Sequence, residues 1–171
     1  MYGWLSQEKA PKVLVEAVKL IGTKETIGKA NNPIIMGWAK DLKIDKIYTN
    51  DAIPWCGLFV AYVVSKAGKE VAKNPLYALN WSSWGNAVDV PKLGDILTFK
   101  RNGGGHVGFY VGEDAECYHV LGGNQSDAVN VARIAKTRLF KARRTPWSVA
   151  QPKQVRQIFL DAKGKVSTNE K

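Results

Sequence analysis

A segment that is apolar on nearly every side, residues 54–68, most constrains how this 171-residue chain can fold. Pro54 suits the first turn of a helix and Gly68 suits its end, and the residues between them show no polar face. An apolar helix of this kind has to be covered by other elements on all sides. The pattern therefore predicts a helix at the centre of the fold, with Cys56 in its first turn.

The sequence on either side of this segment shows two different periodicities. Apolar residues recur at helical spacing over 9–21, and the Asn32-Pro33 pair predicts a helix over 34–42. Five short β-branched or aromatic runs follow, separated mostly by glycine or by Asn and Asp: residues 95–100, 106–112, 117–121, 129–134 and 139–143. Helices followed by strands predict the α+β class, with the N-terminal helices and the Cys-bearing central helix packed on an antiparallel sheet of about five strands.

The length of 171 residues is enough for one domain with a core, which we place at residues 1–150. Residues 151–171 are predicted to form a short helix over 155–162 and then a frayed polar end. No stretch approaches the ~18 consecutive apolar residues of a membrane span, and the first residues lack the charged-then-apolar pattern of a signal peptide. We therefore expect neither a membrane span nor an export signal.

The formal net charge is +10 and the sequence pI is about 9.6, so the surface is expected to attract polyanions. Nucleic acid is disfavoured as a partner because the chain has no dense run of Lys and Arg with interleaved aromatic residues. An anionic bacterial envelope is the favoured partner, and attraction to it should weaken as salt rises. The alternative is that the lysines only solvate the surface.

Cys56 and His106 are the candidates for catalytic chemistry. A cysteine at a helix N-terminus meets free N–H groups and the helix dipole, which both favour the thiolate. His106 follows Gly103–Gly105 and begins a predicted strand, where it can face a cleft and act as a general base. The plainer alternatives are a small buried hydrophobic residue for Cys56 and a solvated loop residue for His106. Cys117 is expected to pack within a strand, and a disulfide with Cys56 stays open.

Cysteine–histidine catalysis also needs a third group, which holds the imidazole in one orientation and one tautomer. The run Leu121–Gln125 offers Asn124, at the end of the strand that is expected to pair with the His106 strand. The alternative for Asn124 is a turn residue, because Gly-Gly-Asn is also turn chemistry.

Three motifs, in this order along the chain, resemble the NlpC and CHAP cell-wall peptidases, which have papain-like folds. They are Pro-Trp-Cys-Gly at 54–57, Leu-Gly-Asp-Ile at 93–96 and Gly-His-Val-Gly at 105–108. The resemblance covers about residues 10–145 and is strongest to a phage-associated set. It implies peptidoglycan as the substrate, no metal and no organic cofactor, Cys56 as the nucleophile and His106 as the general base.

The resemblance leaves the third catalytic residue open. NlpC-type enzymes often place a second histidine early in the next strand, which would be His119, and CHAP-type enzymes place a carboxylate or an Asn later, which would be Asn124. The two positions differ by an odd number, so a regular strand would point them to opposite faces. We favour Asn124. We also expect Trp55, Trp84 and Gln125 to contact substrate, with core packing as the alternative for the tryptophans.

The leading expectation is a monomeric peptidoglycan hydrolase, an endopeptidase or an amidase, from a bacteriophage: an endolysin or a tail-associated lysin. Such an enzyme would reach the wall from the host cytoplasm through a holin pore, or would be carried to it by the virion. An interbacterial amidase effector, a non-catalytic wall-binding or tail module, and an acyltransferase or thioesterase on the same fold stay open. The bond that is cut is also left open.

Overall fold

The computed structural model describes residues 2–28, 30–168 and 170, and three α-helices lie in these residues ahead of the sheet. Helix α1 spans Lys12–Val18, α2 spans Pro33–Asp41 and α3 spans Cys56–Lys66. α1 is shorter than the predicted 9–21 at both ends: Pro11 precedes it in an extended conformation, and Gly22, with a φ of 91°, turns the chain after it so that the Gly22 N–H donates to Val129 O at 2.9 Å. None of the helices in the described residues is long and apolar enough to cross a bilayer.

Seven strands in the described residues form one sheet in the order β1-β6-β2-β3-β4-β5-β7. Their bounds are Asn86–Ala87 (β1), Ile96–Arg101 (β2), Gly104–Glu113 (β3), Cys117–Gly122 (β4), Asn130–Ala135 (β5), Leu139–Arg144 (β6) and Val166–Ser167 (β7). All neighbouring strands are antiparallel except β5 and β7, which are parallel. The α+β class is confirmed, and the five predicted strands are β2 to β6. The two additional strands have only two residues each.

Helix α3 is the central helix of the fold. The side chains of Leu58, Phe59 and Val63 are completely buried, and burial of each is worth about 2 kcal/mol relative to leaving it in water. The Phe59 ring lies edge-on to Phe109 of β3, with ring centroids 6.1 Å apart. This packing fixes the start of α3 against the sheet, which is where Cys56 lies.

The C-terminal segment corrects the prediction of a helix over 155–162 and of a frayed end. The chain there is extended beside β3: Ile158 O accepts from Glu113 N at 2.8 Å, and Leu160 N donates to Glu113 O at 2.8 Å. Backbone pairing with β3, together with packing of Leu160 against Gly112, outweighs the local helical spacing. Further on, β7 pairs with β5, and Glu170 is buried.

Candidate active site

Cys56 is the first residue of α3, and its side chain is only 4% exposed. Burial raises the pKa of the thiol above its ordinary value, although the backbone N–H groups of Val107, Gly57 and Cys56 and the charge of Arg101 act in the opposite direction. The resting sulfur is therefore a neutral thiol that three N–H groups approach. Val107 follows His106 on β3, so the sulfur contacts the strand that carries the histidine.

His106 lies near the start of β3 and is 2% exposed. The Phe99 ring of the neighbouring strand stacks on the imidazole, with centroids 6.5 Å apart and an interplanar angle of 29°. Burial lowers the pKa of His106 to about 4, and the charges of Arg101 and Arg138 add to this, whereas Glu170 and a hydrogen bond with Gln125 oppose it. The imidazole is therefore neutral at physiological pH.

Gln125 determines which ring nitrogen of His106 carries the hydrogen. Its Nε2 amide approaches three oxygens: Val120 O at 3.1 Å, Asn130 O at 2.7 Å and Asn130 Oδ1 at 3.1 Å. Because an amide nitrogen only donates and an amide oxygen only accepts, this orientation points Oε1 at His106 Nε2, at 3.0 Å. Nε2 therefore carries the hydrogen, and Nδ1 keeps the free lone pair of a base.

Asn124 does not take the place that we expected beside the imidazole. It follows the end of β4 in a left-handed conformation with a φ of 55°, and its buried Oδ1 has no hydrogen-bond partner among the described residues. The turn directs the next and longer side chain, that of Gln125, back over the sheet to His106. The hydrogen bond expected from Asn124 thus comes from Gln125, a residue for which we expected substrate contact.

The Gly122-Gly123 pair lets the turn after β4 approach the site closely. A Cβ on Gly122 would lie 2.7 Å from Gln125 Oε1 and 3.1 Å from His106 Nε2, and a Cβ on Gly123 would lie 2.6 Å from Phe59 Cβ. Any side chain at either position would push the turn away. The two glycines therefore allow Gln125, His106 and the first turns of α3 to lie together.

His119 belongs to a separate buried network. Its Nε2 bonds to Asp114 Oδ2 at 2.8 Å and its Nδ1 to the Tyr2 hydroxyl at 2.7 Å, so neither ring nitrogen is available to His106. Arg133 Nε donates to the same Asp114 oxygen at 2.8 Å. Burial alone would raise the pKa of Asp114, but the hydrogen bonds from Arg133 and His119 hold it well below its usual range. This network ties the N-terminus to β4 and β5.

The two tryptophans expected at the substrate have different surroundings in the structure. Trp55 is completely buried, and its Nε1 donates to Glu25 Oε2 at 3.1 Å, so it packs in the core. Trp84 lines a groove of about 870 Å³ beside the residues that follow the C-terminal end of α3, together with Glu70 and Trp147. Cys56 and His106 are not among the residues that line this groove.

Comparison with known proteins does not assign a family or a function to this chain. A scan against protein-family models finds no match, and a search of curated proteins finds no significant relative. The site holds a thiol at a helix N-terminus and a neutral imidazole of defined tautomer, which are the two groups that cysteine nucleophilic catalysis uses. Sequence reasoning did not assign the orienting role to Gln125, although this residue stands next to Asn124 in the same turn.

Proposed function

We propose that this protein is a peptidoglycan hydrolase, a cysteine endopeptidase or amidase with a papain-like arrangement of its site. Cys56 is the nucleophile, His106 the general base and Gln125 the residue that positions His106. The observation that carries the proposal is the Gln125–His106 hydrogen bond of 3.0 Å. It leaves Nδ1 as the basic nitrogen of a ring whose neighbour in the chain, Val107, contacts the Cys56 sulfur.

The reaction follows from these groups. His106 Nδ1 takes the thiol proton as Sγ of Cys56 attacks the carbonyl carbon of an amide bond, forming a C–S bond and an oxyanion. The N–H groups at the start of α3 stabilise that charge, and removal of one such donor typically costs about 3–4 kcal/mol. The C–N bond then breaks, and Nδ1–H gives its proton to the leaving amine. A water molecule, deprotonated by Nδ1, hydrolyses the thioester to a carboxylate and regenerates the thiol.

Proton transfer accompanies the attack in this scheme. Burial raises the pKa of Cys56 and lowers that of His106, so both groups are neutral before substrate binds. A buried site favours the uncharged pair, because a buried thiolate and a buried imidazolium would both lose their hydration at a cost in free energy. The Gln125 oxygen then stabilises the Nε2–H dipole as positive charge develops on the ring.

Digestion of purified sacculi tests the proposal. Wild-type protein should lower the turbidity of the suspension and release free amines, Cys56→Ala should abolish both, and Cys117→Ala should retain them. Cys117 is a matched control because it is the other free, buried cysteine of the chain. Undiminished hydrolysis by a folded Cys56→Ala protein would reject the mechanism.

The near-closure of the site favours one rival, a non-catalytic wall-binding or tail module. Cys56 and His106 are only 4% and 2% exposed, so the pair is not open to a large substrate in this conformation. The same sacculus experiment separates the two, because a module would sediment with the sacculi and release no amines. Hydrolysis that depends on Cys56 rejects the module.

Within the proposed function, a bacteriophage endolysin or tail-associated lysin remains the favoured setting. The net charge of +10 would draw the enzyme to anionic envelope polymers. Mass spectrometry of the digested peptidoglycan would identify the bond. A new amine on L-Ala would indicate an amidase, and an amine elsewhere in the stem or crossbridge would indicate an endopeptidase.

A further inference from the structure

The C-terminal segment lies as an extended peptide along the free edge of β5. Val166 and Ser167 pair in parallel with Arg133 and Ile134, and Arg133 Nη1 donates to Gly164 O at 2.6 Å. Adding a strand to a sheet edge is a common way for proteins to bind extended peptides, because the main-chain hydrogen bonds do not depend on the sequence of the peptide.

Glu170 joins this segment to Arg138 through its side chain and to Ser126 through its backbone. Both Nη atoms of Arg138 donate to the Glu170 carboxylate, at 2.7 and 2.8 Å. The Ser126 N–H donates to the backbone carbonyl of Glu170 at 2.9 Å. The Glu170 side chain is buried in this contact. A bidentate guanidinium and a backbone N–H therefore recognise a carboxylate and a peptide carbonyl of the same residue.

This binding position adjoins the candidate active site. Ser126 follows Gln125, whose Oε1 lies 3.0 Å from His106 Nε2. A groove of about 570 Å³ is lined by the segment itself, Glu170 included, and by Gln125, Ser126 and residues of β5. The Glu170 charge also interacts with His106, where it opposes the lowering of the pKa by burial. Cys56 and His106 are nearly closed to solvent.

We propose that the β5 edge, Ser126 and Arg138 form a binding groove for an extended peptide that carries a side-chain carboxylate, which the chain's own C-terminal segment occupies in place of substrate. This inference rests on the proposed function: the occupant during turnover is an acidic stem peptide, whose carboxylate replaces that of Glu170. A tethered segment competes at a high effective concentration, typically millimolar. The full chain is therefore partly self-inhibited.

Alkylation of Cys56 tests whether the segment closes the site. In a full-length Cys117→Ser background, Cys56 is the remaining thiol, and iodoacetamide reports its accessibility. Glu170→Lys places a like charge beside Arg138 and should speed alkylation at least tenfold. Asp161→Lys is the matched control, because it makes the same charge change at an exposed residue of the same segment, and it should leave the rate unchanged. Equal rates in the two variants would overturn the proposal.

Peptide binding tests the specificity of the groove. An acetylated, dye-labelled peptide of residues 163–171 should bind the full-length Glu170→Lys protein in fluorescence anisotropy and should slow alkylation of Cys56 toward the wild-type rate. The same peptide with Gln in place of Glu170 should bind at least tenfold more weakly. Equal affinity for the two peptides, or no binding of either, would overturn the proposal.

A measurement on the unaltered chain covers the case in which Glu170→Lys does not fold. The acetylated peptide of residues 163–171, at millimolar concentration, should accelerate hydrogen–deuterium exchange of the wild-type amides in residues 163–168 by displacing the segment, and unchanged exchange would overturn the proposal. None of these experiments requires hydrolysis. Peptide binding without digestion of sacculi would therefore reject the proposed enzyme and leave the groove intact.

Discussion

A buried neutral imidazole should make the fold lose stability as the solution is acidified from pH 7 to pH 4. Burial lowers the pKa of His106 from 6.5 to about 4 in the folded protein, whereas the ring in the unfolded chain titrates at its ordinary value. Between these two pH values the unfolded state binds one proton more than the folded state. The contribution of His106 to the free energy of unfolding therefore falls as pH decreases through this window and levels off below about pH 4.

The size of the effect follows from the separation of the two pKa values. One pKa unit corresponds to about 1.36 kcal/mol, so the lowered pKa of His106 changes the free energy of unfolding by about 3 kcal/mol across the whole pH window. No discount for solvent screening applies, because the side chain is 2% exposed. Carboxylates whose pKa is lowered, such as Asp114 and Glu170, lose their contributions at lower pH, below their ordinary values of 3.8 and 4.5. The interval from pH 6.5 to 5 therefore reports mainly on the histidine.

Urea unfolding followed by tryptophan fluorescence measures this dependence, since the chain has six tryptophans. Wild type and His106→Gln are compared at pH 7, 6, 5 and 4. The variant is expected to be less stable at pH 7, and the difference between the two proteins should shrink by about 3 kcal/mol on going to pH 4. A constant difference across the range would refute a buried neutral His106.

Four substitutions test other parts of the structure. Gln125→Met should lower kcat/KM on soluble peptidoglycan fragments at least about 100-fold, because His106 Nε2 loses its hydrogen-bond acceptor. Asn124→Gly should change kcat/KM only a few-fold. A larger loss in Asn124→Gly than in Gln125→Met would indicate that Asn124 is the positioning residue. Gly122→Ala should lower the same rate, because its Cβ would lie 2.7 Å from Gln125 Oε1, and an unchanged rate would contradict the close approach. Asp114→Asn should lower the free energy of unfolding at pH 7 by about 3 kcal/mol and flatten its decline below pH 4, because the folded carboxylate has a lowered pKa. Urea unfolding measures both effects, and wild-type stability of the variant would contradict them.

The fold was largely predictable because its elements have strong local signals. The short β-branched or aromatic runs, separated mostly by Gly, Asn or Asp, located β2 to β6 within one or two residues, and the apolar segment after Pro54 located α3. The segment 155–162 was not predictable in this way. Val155, Ile158, Phe159 and Ala162 recur at helical spacing, yet Ile158 and Leu160 pair with Glu113 of β3. Pairing between residues more than 40 positions apart in the chain leaves no local pattern in the sequence.

The candidate site was predictable only where position in an element determines contact. Cys56 at a helix start and His106 at a strand start lie on neighbouring elements, as the motifs indicated. The choice between Asn124 and Gln125 depends on a turn in which Asn124 has a φ of 55°, and side-chain direction in such a turn does not follow strand alternation. Glu170 has no local signal, since its partner Arg138 is 32 residues away.

The most direct test of the central claim is to observe the covalent intermediate. The protein would be mixed with soluble peptidoglycan fragments, quenched in acid during turnover, digested, and mapped by mass spectrometry. The account predicts an acyl adduct on the peptide that contains Cys56, which disappears in His106→Gln. Turnover with the adduct on another residue, or turnover that persists in folded Cys56→Ala without any adduct, would contradict it.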